Sequence, residues 1–301
     1  MDIEIISGFL GAGKTTFLNQ YIPLLKGRTV VIENEFGDIG LDGQMIESDI
    51  PVREINAGCI CCSLALDFRQ EIKLIAEQFA PDRILIEPSG VGRLTDIVKA
   101  CQKAGEKDGI EIQRIRRIAL VDVAGFTDYA DGFGEFYLDQ IKEAEVLFYS
   151  NLEQLSSDML KAVTTQIRSL NPEAVIYKED WRQLAGEDLL KLLGSATQKQ
   201  YRLVGNSNSG RPADQVFSSL ALTDIPVMKK TAVEDLISKI ASGEFGEIIR
   251  IKGVIPTVDQ QMLQINYTPA YNRITAAAYS LDVGLIIIGS KLKEEAIKNL
   301  L

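Results

Sequence analysis

The chain has 301 residues, 46% of them hydrophobic and 25% charged, a balance that buries a core and excludes an intrinsically disordered chain. Its 42 acidic against 32 basic residues give a net charge of −10, so the basic footprint of a nucleic-acid-binding protein is missing. Histidine is absent, which removes from this chain every mechanism that needs an imidazole base, relay or metal ligand.

At roughly 150 residues per domain the length predicts two domains. No apolar run approaches the ~18–20 residues of a membrane span. The opening Met1-Asp2-Ile3-Glu4 places acids where a secretory leader carries Lys or Arg. A cytoplasmic protein with neither membrane nor nucleic acid as partner is expected.

In chain order, residues 3–7 predict a strand, residues 8–16 a glycine-rich turn, and Phe17 opens a helix. The turn Gly8-Phe9-Leu10-Gly11-Ala12-Gly13-Lys14-Thr15-Thr16 fits the phosphate-loop pattern in its required strand–loop–helix setting. Its glycines let backbone N–H groups point at phosphate oxygens, and the helix N-terminus adds partial positive charge. Lys14 neutralises the β- and γ-phosphates, and the Thr15 hydroxyl takes a Mg²⁺ position. Nucleoside triphosphate binding follows.

Residues 29–33 predict the next strand, and Glu33-Asn34-Glu35-Phe36-Gly37-Asp38-Ile39-Gly40 an acidic loop behind it. In doubly wound sheets such loops gather with the phosphate loop at strand C-termini. An acid here reaches both the nucleotide Mg²⁺ and the cysteines that come next. After a strand at 52–55, three of the four cysteines crowd together as Cys59, Cys61 and Cys62. So tight a cluster closes no useful disulfide loop and suits a reducing cytoplasm. Placed before a helix, the thiols are favoured as thiolates, which select Zn²⁺, with Co²⁺ and Ni²⁺ as alternatives. One short loop does not supply four ligands, and an open site suits an ion that must leave. Packing and a redox role are the other readings of the same cluster.

Phe68, Ile72, Ile75 and Phe79 recur at helical spacing, and residues 83–87 form an apolar strand that ends on Glu87. Glu87 is the second Mg²⁺ candidate, and the turn Pro88-Ser89-Gly90 sits where a γ-phosphate sensor belongs. Strands at 118–123, 146–149 and 174–177 alternate with further helices. The expected fold class is α/β, a doubly wound, mostly parallel P-loop sheet. Arg114, Arg116 and Arg117 read as a solvated strand edge. Trp181 and the group Phe133, Phe136 and Tyr137 read as packing or a partner surface, and Cys101 as packing. The polar stretch 206–214 reads as a linker between a domain over 1–205 and a smaller α+β domain over 215–301. The latter is expected to hold a helix at 232–241, strands at 247–255, 260–267, 274–280 and 284–289, and a closing helix at 291–301.

The segments GFLGAGKTT (8–16), IENEFGDIGLDG (32–43), EINAGCICCSL (54–64) and ILIEPSG (84–90) together resemble the CobW-like metallochaperone GTPases, relatives of UreG and HypB. GEFGEIIRIKGVI (243–255) is similar to the start of that family's C-terminal domain. The resemblance implies a GTP-hydrolysing domain that loads or delivers Zn²⁺, Co²⁺ or Ni²⁺ to a client metalloprotein or cobalamin-related enzyme; a homodimer is compatible with it. It implies phosphate and Mg²⁺ binding by Gly13, Lys14, Thr15 and Thr16, and Glu87 as the acid of the ExxG element that ends in Gly90. It implies Glu35 and Asp38 as switch acids, Asp38 near Mg²⁺, and Cys61 and Cys62 with Glu33 as metal ligands, Cys59 close by. Ser150-Asn151-Leu152-Glu153 stands where the family reads guanine with [NST]KxD. Asn151 and Glu153 are therefore the base-reading positions, with GTP expected and ATP as the alternative. A fourth metal ligand must be a carboxylate, water or a partner's residue. A small-molecule kinase or ATP-dependent activator is the rival enzyme reading, and a nucleotide-binding scaffold without turnover the non-enzymatic one.

Overall fold

The structure, a computed structural model, describes residues 1–33, 52–54, 64–198, 216–277 and 283–301. The chain divides into two compact units, one carrying the described residues up to 198 and the other those from 216 onward. The expected linker at 206–214 lies outside the described residues.

The first unit is built on seven parallel strands: β1 (Asp2–Gly8), β2 (Thr29–Glu33), β3 (Val52–Glu54), β4 (Arg83–Glu87), β5 (Arg114–Asp122), β6 (Val146–Ser150) and β7 (Val175–Tyr177). They lie in the order β3-β2-β4-β1-β5-β6-β7. Strands covered on both faces have no reason to alternate polar with apolar residues. Accordingly Ile3, Ile5, Ile6, Val30, Val31, Ile32, Ile84, Leu85 and Ile86 are all fully buried. Helices α1 (Lys14–Tyr21) and α7 (Gly186–Ser195) close one face over Ile6, Val31, Leu85, Leu120 and Phe148. On the other, α2 (Leu64–Phe79), α3 (Leu94–Asp108), α5 (Glu135–Glu143) and α6 (Ser157–Leu170) pack side by side, with α4 (Phe126–Phe133) against α5. Phe68, Ile72 and Ile75 of α2 are buried at the expected helical spacing. The chain reaches β4 and β5 on opposite sides of β1, so the loops after β1 and β4 open side by side at the C-terminal edge.

One expectation is overturned. Arg114, Arg116 and Arg117 are not a solvated edge; β5 begins at Arg114 and carries them into the sheet. Arg116 lies in register with Glu4 of β1, and Arg117 is 2% exposed. Glu4 is 2% exposed, and its Oε1 accepts from Arg83 Nε at 2.9 Å and Arg116 Nη1 at 3.0 Å. Tyr21 Oη donates to Glu4 Oε2 at 2.6 Å. Arg117 Nη2 donates to Glu145 Oε1 at 3.1 Å. A carboxylate taken out of water needs such counter-charges, and the arginines are interior for that reason. Trp181, Phe133 and Tyr137 are buried as packing residues.

The second unit is an antiparallel sheet in the order β11-β10-β9-β12-β8. Its strands are β8 (Ser218–Leu222), β9 (Glu247–Pro256), β10 (Met262–Thr268), β11 (Tyr271–Ala277) and β12 (Gly284–Ser290). Helix α8 (Lys230–Ile240) lays Val233, Leu236, Ile237 and Ile240 against Leu220, Ile251, Leu263, Ile265, Leu285 and Ile287, with Ile297 of α9 (Glu294–Lys298) in the same cluster. The pattern of one apolar face per strand is what puts these residues together. Neither β8 nor the shortness of α9 is evident in the sequence.

Candidate functional site

The turn after β1 ends at Gly13, whose φ of +97° is a left-handed conformation that glycine adopts without strain. From there α1 starts, Phe17 N donating to Gly13 O at 2.9 Å, and the N–H groups of its first turn are left without intrahelical acceptors. Gly8, Gly11, Ala12, Gly13, Lys14, Thr15 and Thr16 thus form one turn at the sheet's C-terminal edge, a cradle of amides suited to phosphate. Lys14 Nζ stands 3.9 Å from Glu87 Oε1, and Thr15 Oγ1 donates to that same oxygen at 3.4 Å. A hydroxyl and a carboxylate converging beside a phosphate cradle are hard oxygen donors of the kind Mg²⁺ takes alongside phosphates, so the residues present fit that ion.

Glu33, the last residue of β2, is 5% exposed. It pairs in register with Glu87 on β4 and with Glu54 on β3. Three neighbouring parallel strands, ~4.8 Å apart, therefore end on glutamate in one row. The expected switch acids Glu35 and Asp38 and the thiols Cys59, Cys61 and Cys62 lie outside the described residues. Among the described residues no group of three acidic or thiol side chains is arranged to hold a metal ion. Cys101 is buried and its thiol is pushed up to about 12 by desolvation, which fits packing and excludes a reactive thiolate there.

At the other end of the edge, Ser150 closes β6 and Asn151 follows at φ +56°. Glu153 is half-exposed and faces Arg182 Nη2 at 3.9 Å, which ties the turn after β6 to the turn after β7. Beside Arg182, Trp181 is 3% exposed and stands edge-on to Phe17 of α1 at 5.4 Å; a Cβ on Gly13 would meet its ring at 3.5 Å. The expected base-reading positions, Asn151 and Glu153, and the phosphate loop thus share one edge through α1.

Asp122, the last residue of β5, is not among the expected site residues, although it carries the same sequence signal as Glu87, an acid that ends an apolar strand. It is fully buried, and it accepts from Ala124 N at 3.1 Å, Gly125 N at 3.3 Å and Tyr129 Oη at 3.3 Å. Burial pushes its carboxyl above the usual carboxylate range, and the bonds it accepts offset only part of that. A proton is then held more tightly in the folded than in the unfolded chain. The group's contribution to stability is lost as pH rises from the ordinary carboxylate range through the raised folded value. Asp122→Asn keeps an acceptor for the amides without the charge. Its melting temperature relative to the unmodified protein is expected to be higher at pH 8 than at pH 4.5. A difference that does not change with pH would refute this.

The family profile described as CobW/HypB/UreG, nucleotide-binding domain, matches residues 2–178. The chain belongs to the CobW/HypB/UreG family. Zinc chaperone CobW of Pseudomonas aeruginosa is 27% identical over 349 residues, covering 99% of this chain and 90% of that protein. Zinc-regulated GTPase metalloprotein activator 1 of Dictyostelium discoideum is 24% identical over 218 residues; the match takes in 59% of this chain and 45% of that protein. Among solved structures, HypB from Helicobacter pylori in complex with nickel aligns at a TM-score of 0.49 and 17% identity, over 67% of this chain and 92% of HypB. Among the described residues, no helix of this family member is long and apolar enough to cross a membrane.

Proposed function

We propose that this chain is a nucleotide-gated metal carrier that hydrolyses GTP and passes a transition-metal ion to a client metalloprotein. The observation that supports this most is the register of Glu33 with Glu87: a carboxylate expected at the cargo site sits one strand from the carboxylate beside Lys14 and Thr15. Whatever binds at the phosphate loop then alters the electrostatic setting of Glu33 directly.

In this reading, the amides of residues 8–16 and Lys14 bind the phosphates, and Thr15 and Glu87 hold Mg²⁺, with Asp38 near it. When bound, Mg²⁺ neutralises phosphate charge and polarises the terminal phosphate. Glu153 accepts from the guanine N–H groups, and the names of the relatives favour GTP over ATP and Zn²⁺ over Co²⁺ or Ni²⁺ as cargo. Cys59, Cys61, Cys62 and Glu33 hold the cargo ion. The segment 33–40, carrying Glu35 and Asp38, connects Glu33 to the switch acids, so its rearrangement on hydrolysis changes the ion's surroundings. The smaller unit recognises the client in the cytoplasm. Turnover without a client is slow, since the sequence offers no clear water-orienting Gln or arginine finger.

The test is a titration of Zn²⁺, and separately Co²⁺, into protein loaded with GDP or with a nonhydrolysable GTP analogue. A coupling of ~1–3 kcal/mol predicts affinities that differ by roughly 5–150-fold between the two states. Equal affinities would overturn the gating.

A further inference from the structure

The segment that links β4 to α3 is held from the side by α5. Gln140 of α5 is 1% exposed, and its Nε2 donates to Gly90 O at 2.9 Å and to Gly92 O at 2.9 Å. Two carbonyl partners fix the orientation of the amide, since a flipped side chain would turn Oε1 against two acceptors. The preceding residue, Asp139, accepts from the backbone N–H and the hydroxyl of Thr95 in the first turn of α3. One helical turn earlier on α5, Tyr137 packs on Phe9 of the phosphate loop at 5.4 Å between ring centroids; Tyr129 and Phe133 of α4 also pack on Phe9. Gly90 itself is wedged against that loop: a Cβ there would lie 2.8 Å from the Leu10 backbone nitrogen. Helix α5 therefore grips both the loop after β1 and the turn after β4, with residues one turn apart. Its own C-terminal end is fixed separately, by Asn171 Nδ2 donating to Ile141 O at 2.7 Å and Ala144 O at 2.9 Å.

We infer that Gln140 is a positioning residue of the nucleotide switch: by holding the Gly90 and Gly92 carbonyls it fixes the backbone of the turn after β4, where the proposed function puts the terminal phosphate, and so sets how strongly triphosphate is preferred over diphosphate. The inference rests on the proposed function. Gln140 is bonded to the carbonyls of Gly90 and Gly92 and acts through them. An amide pre-aimed at the phosphate loses nothing to reorganisation when the ligand arrives, whereas a loose peptide must be ordered by it. A diphosphate does not reach that peptide and is indifferent to its aim.

The experiment compares affinities for GDP and a nonhydrolysable GTP analogue, by calorimetry, in the full chain. Gln140→Met keeps the volume and removes both donors. Its preference for the analogue over GDP is expected to fall ~10-fold, in line with two lost hydrogen bonds, with GDP affinity within a factor of two of the unmodified protein. Asn171→Leu loosens the same helix without touching residues 90–92; it is expected to lower the melting temperature and leave the preference unchanged. An unchanged preference in Gln140→Met, or an equal loss in Asn171→Leu, would overturn the inference. If the unmodified protein binds neither nucleotide, the proposed function falls and takes this inference with it. If it binds both and Gln140→Met retains the preference, only the positioning role falls.

Discussion

Lys14→Met is expected to lower triphosphate turnover by ~10²–10³-fold, the effect of removing one pre-placed electrostatic contact from a developing phosphoryl charge. The amides of the loop and the N-terminus of α1 remain, so binding weakens while some affinity survives. Lys14 is 9% exposed, and its ammonium is 3.9 Å from Glu87 Oε1. Deleting the cation therefore leaves a buried carboxylate beside incoming phosphates, and like charges in partly dehydrated surroundings repel strongly. Methionine preserves most of the aliphatic stem, so the packing of α1 on the sheet is expected to persist. Two measurements check this together. Phosphate release reports turnover. The fluorescence of Trp181, the single tryptophan of the chain, reports the loop, because its ring packs on Phe17 of α1 and a Cβ on Gly13 would meet it at 3.5 Å. The expected result is an unmodified protein whose emission changes on adding triphosphate and a variant whose emission changes only at much higher ligand concentration. A variant that keeps a tenth or more of the turnover would show that Lys14 does not contact the reacting phosphate.

What the sequence made legible was what is local. The strands 29–33 and 83–87 lie where continuous β-branched and leucine runs are bounded by polar residues, and both match β2 and β4 residue for residue. The phosphate loop announced itself because glycine, lysine and threonine at that spacing have one use between a strand and a helix. The acid after an apolar run gave Glu87 its place beside Lys14. Illegible features depend on partners far along the chain. Arg114, Arg116 and Arg117 look like a charged edge until Glu4 and Glu145 are seen to need them. The strand β8, Ser-Ser-Leu-Ala-Leu, has weak intrinsic preference and exists because β12 pairs with it. The strand expected at 274–280 starts earlier, at Tyr271, because Thr268 and Tyr271 pair directly across a turn of Pro269 and Ala270; residues 278–280 lie outside the described residues. Gln140 is one polar residue on an amphipathic helix, and its meaning lies 48 and 50 residues earlier, at Gly92 and Gly90.

Glu4→Leu is expected to destabilise the first unit by ~3–5 kcal/mol, the cost of breaking a buried ionic group by removing one side of it. The carboxylate is the hub: Arg83 and Arg116 share Oε1, while Tyr21 Oη donates to Oε2 at 2.6 Å. Burial, and then the neighbouring Glu4 charge, holds the Tyr21 phenol protonated far above its usual range, so the hydroxyl remains a donor at every accessible pH. Removing Glu4 strands two guanidinium groups, each mostly buried at 19% and 16% side-chain exposure, together with a phenol that loses its acceptor. Glu4→Gln keeps a neutral acceptor and is expected to cost about half as much, since hydrogen bonds to a charged group are roughly twice as strong as neutral ones. The triple replacement Glu4→Leu, Arg83→Met, Arg116→Met is expected to recover most of the loss, because a well-packed apolar group of similar volume often equals a buried ionic one. Urea denaturation followed through Trp181 measures all three, and the midpoint shift at constant slope gives the free-energy change. The decisive comparison is between the single and triple replacements. If the triple variant is no more stable than Glu4→Leu, the loss came from misfit in the sheet, and the uncompensated arginine charges are not its source.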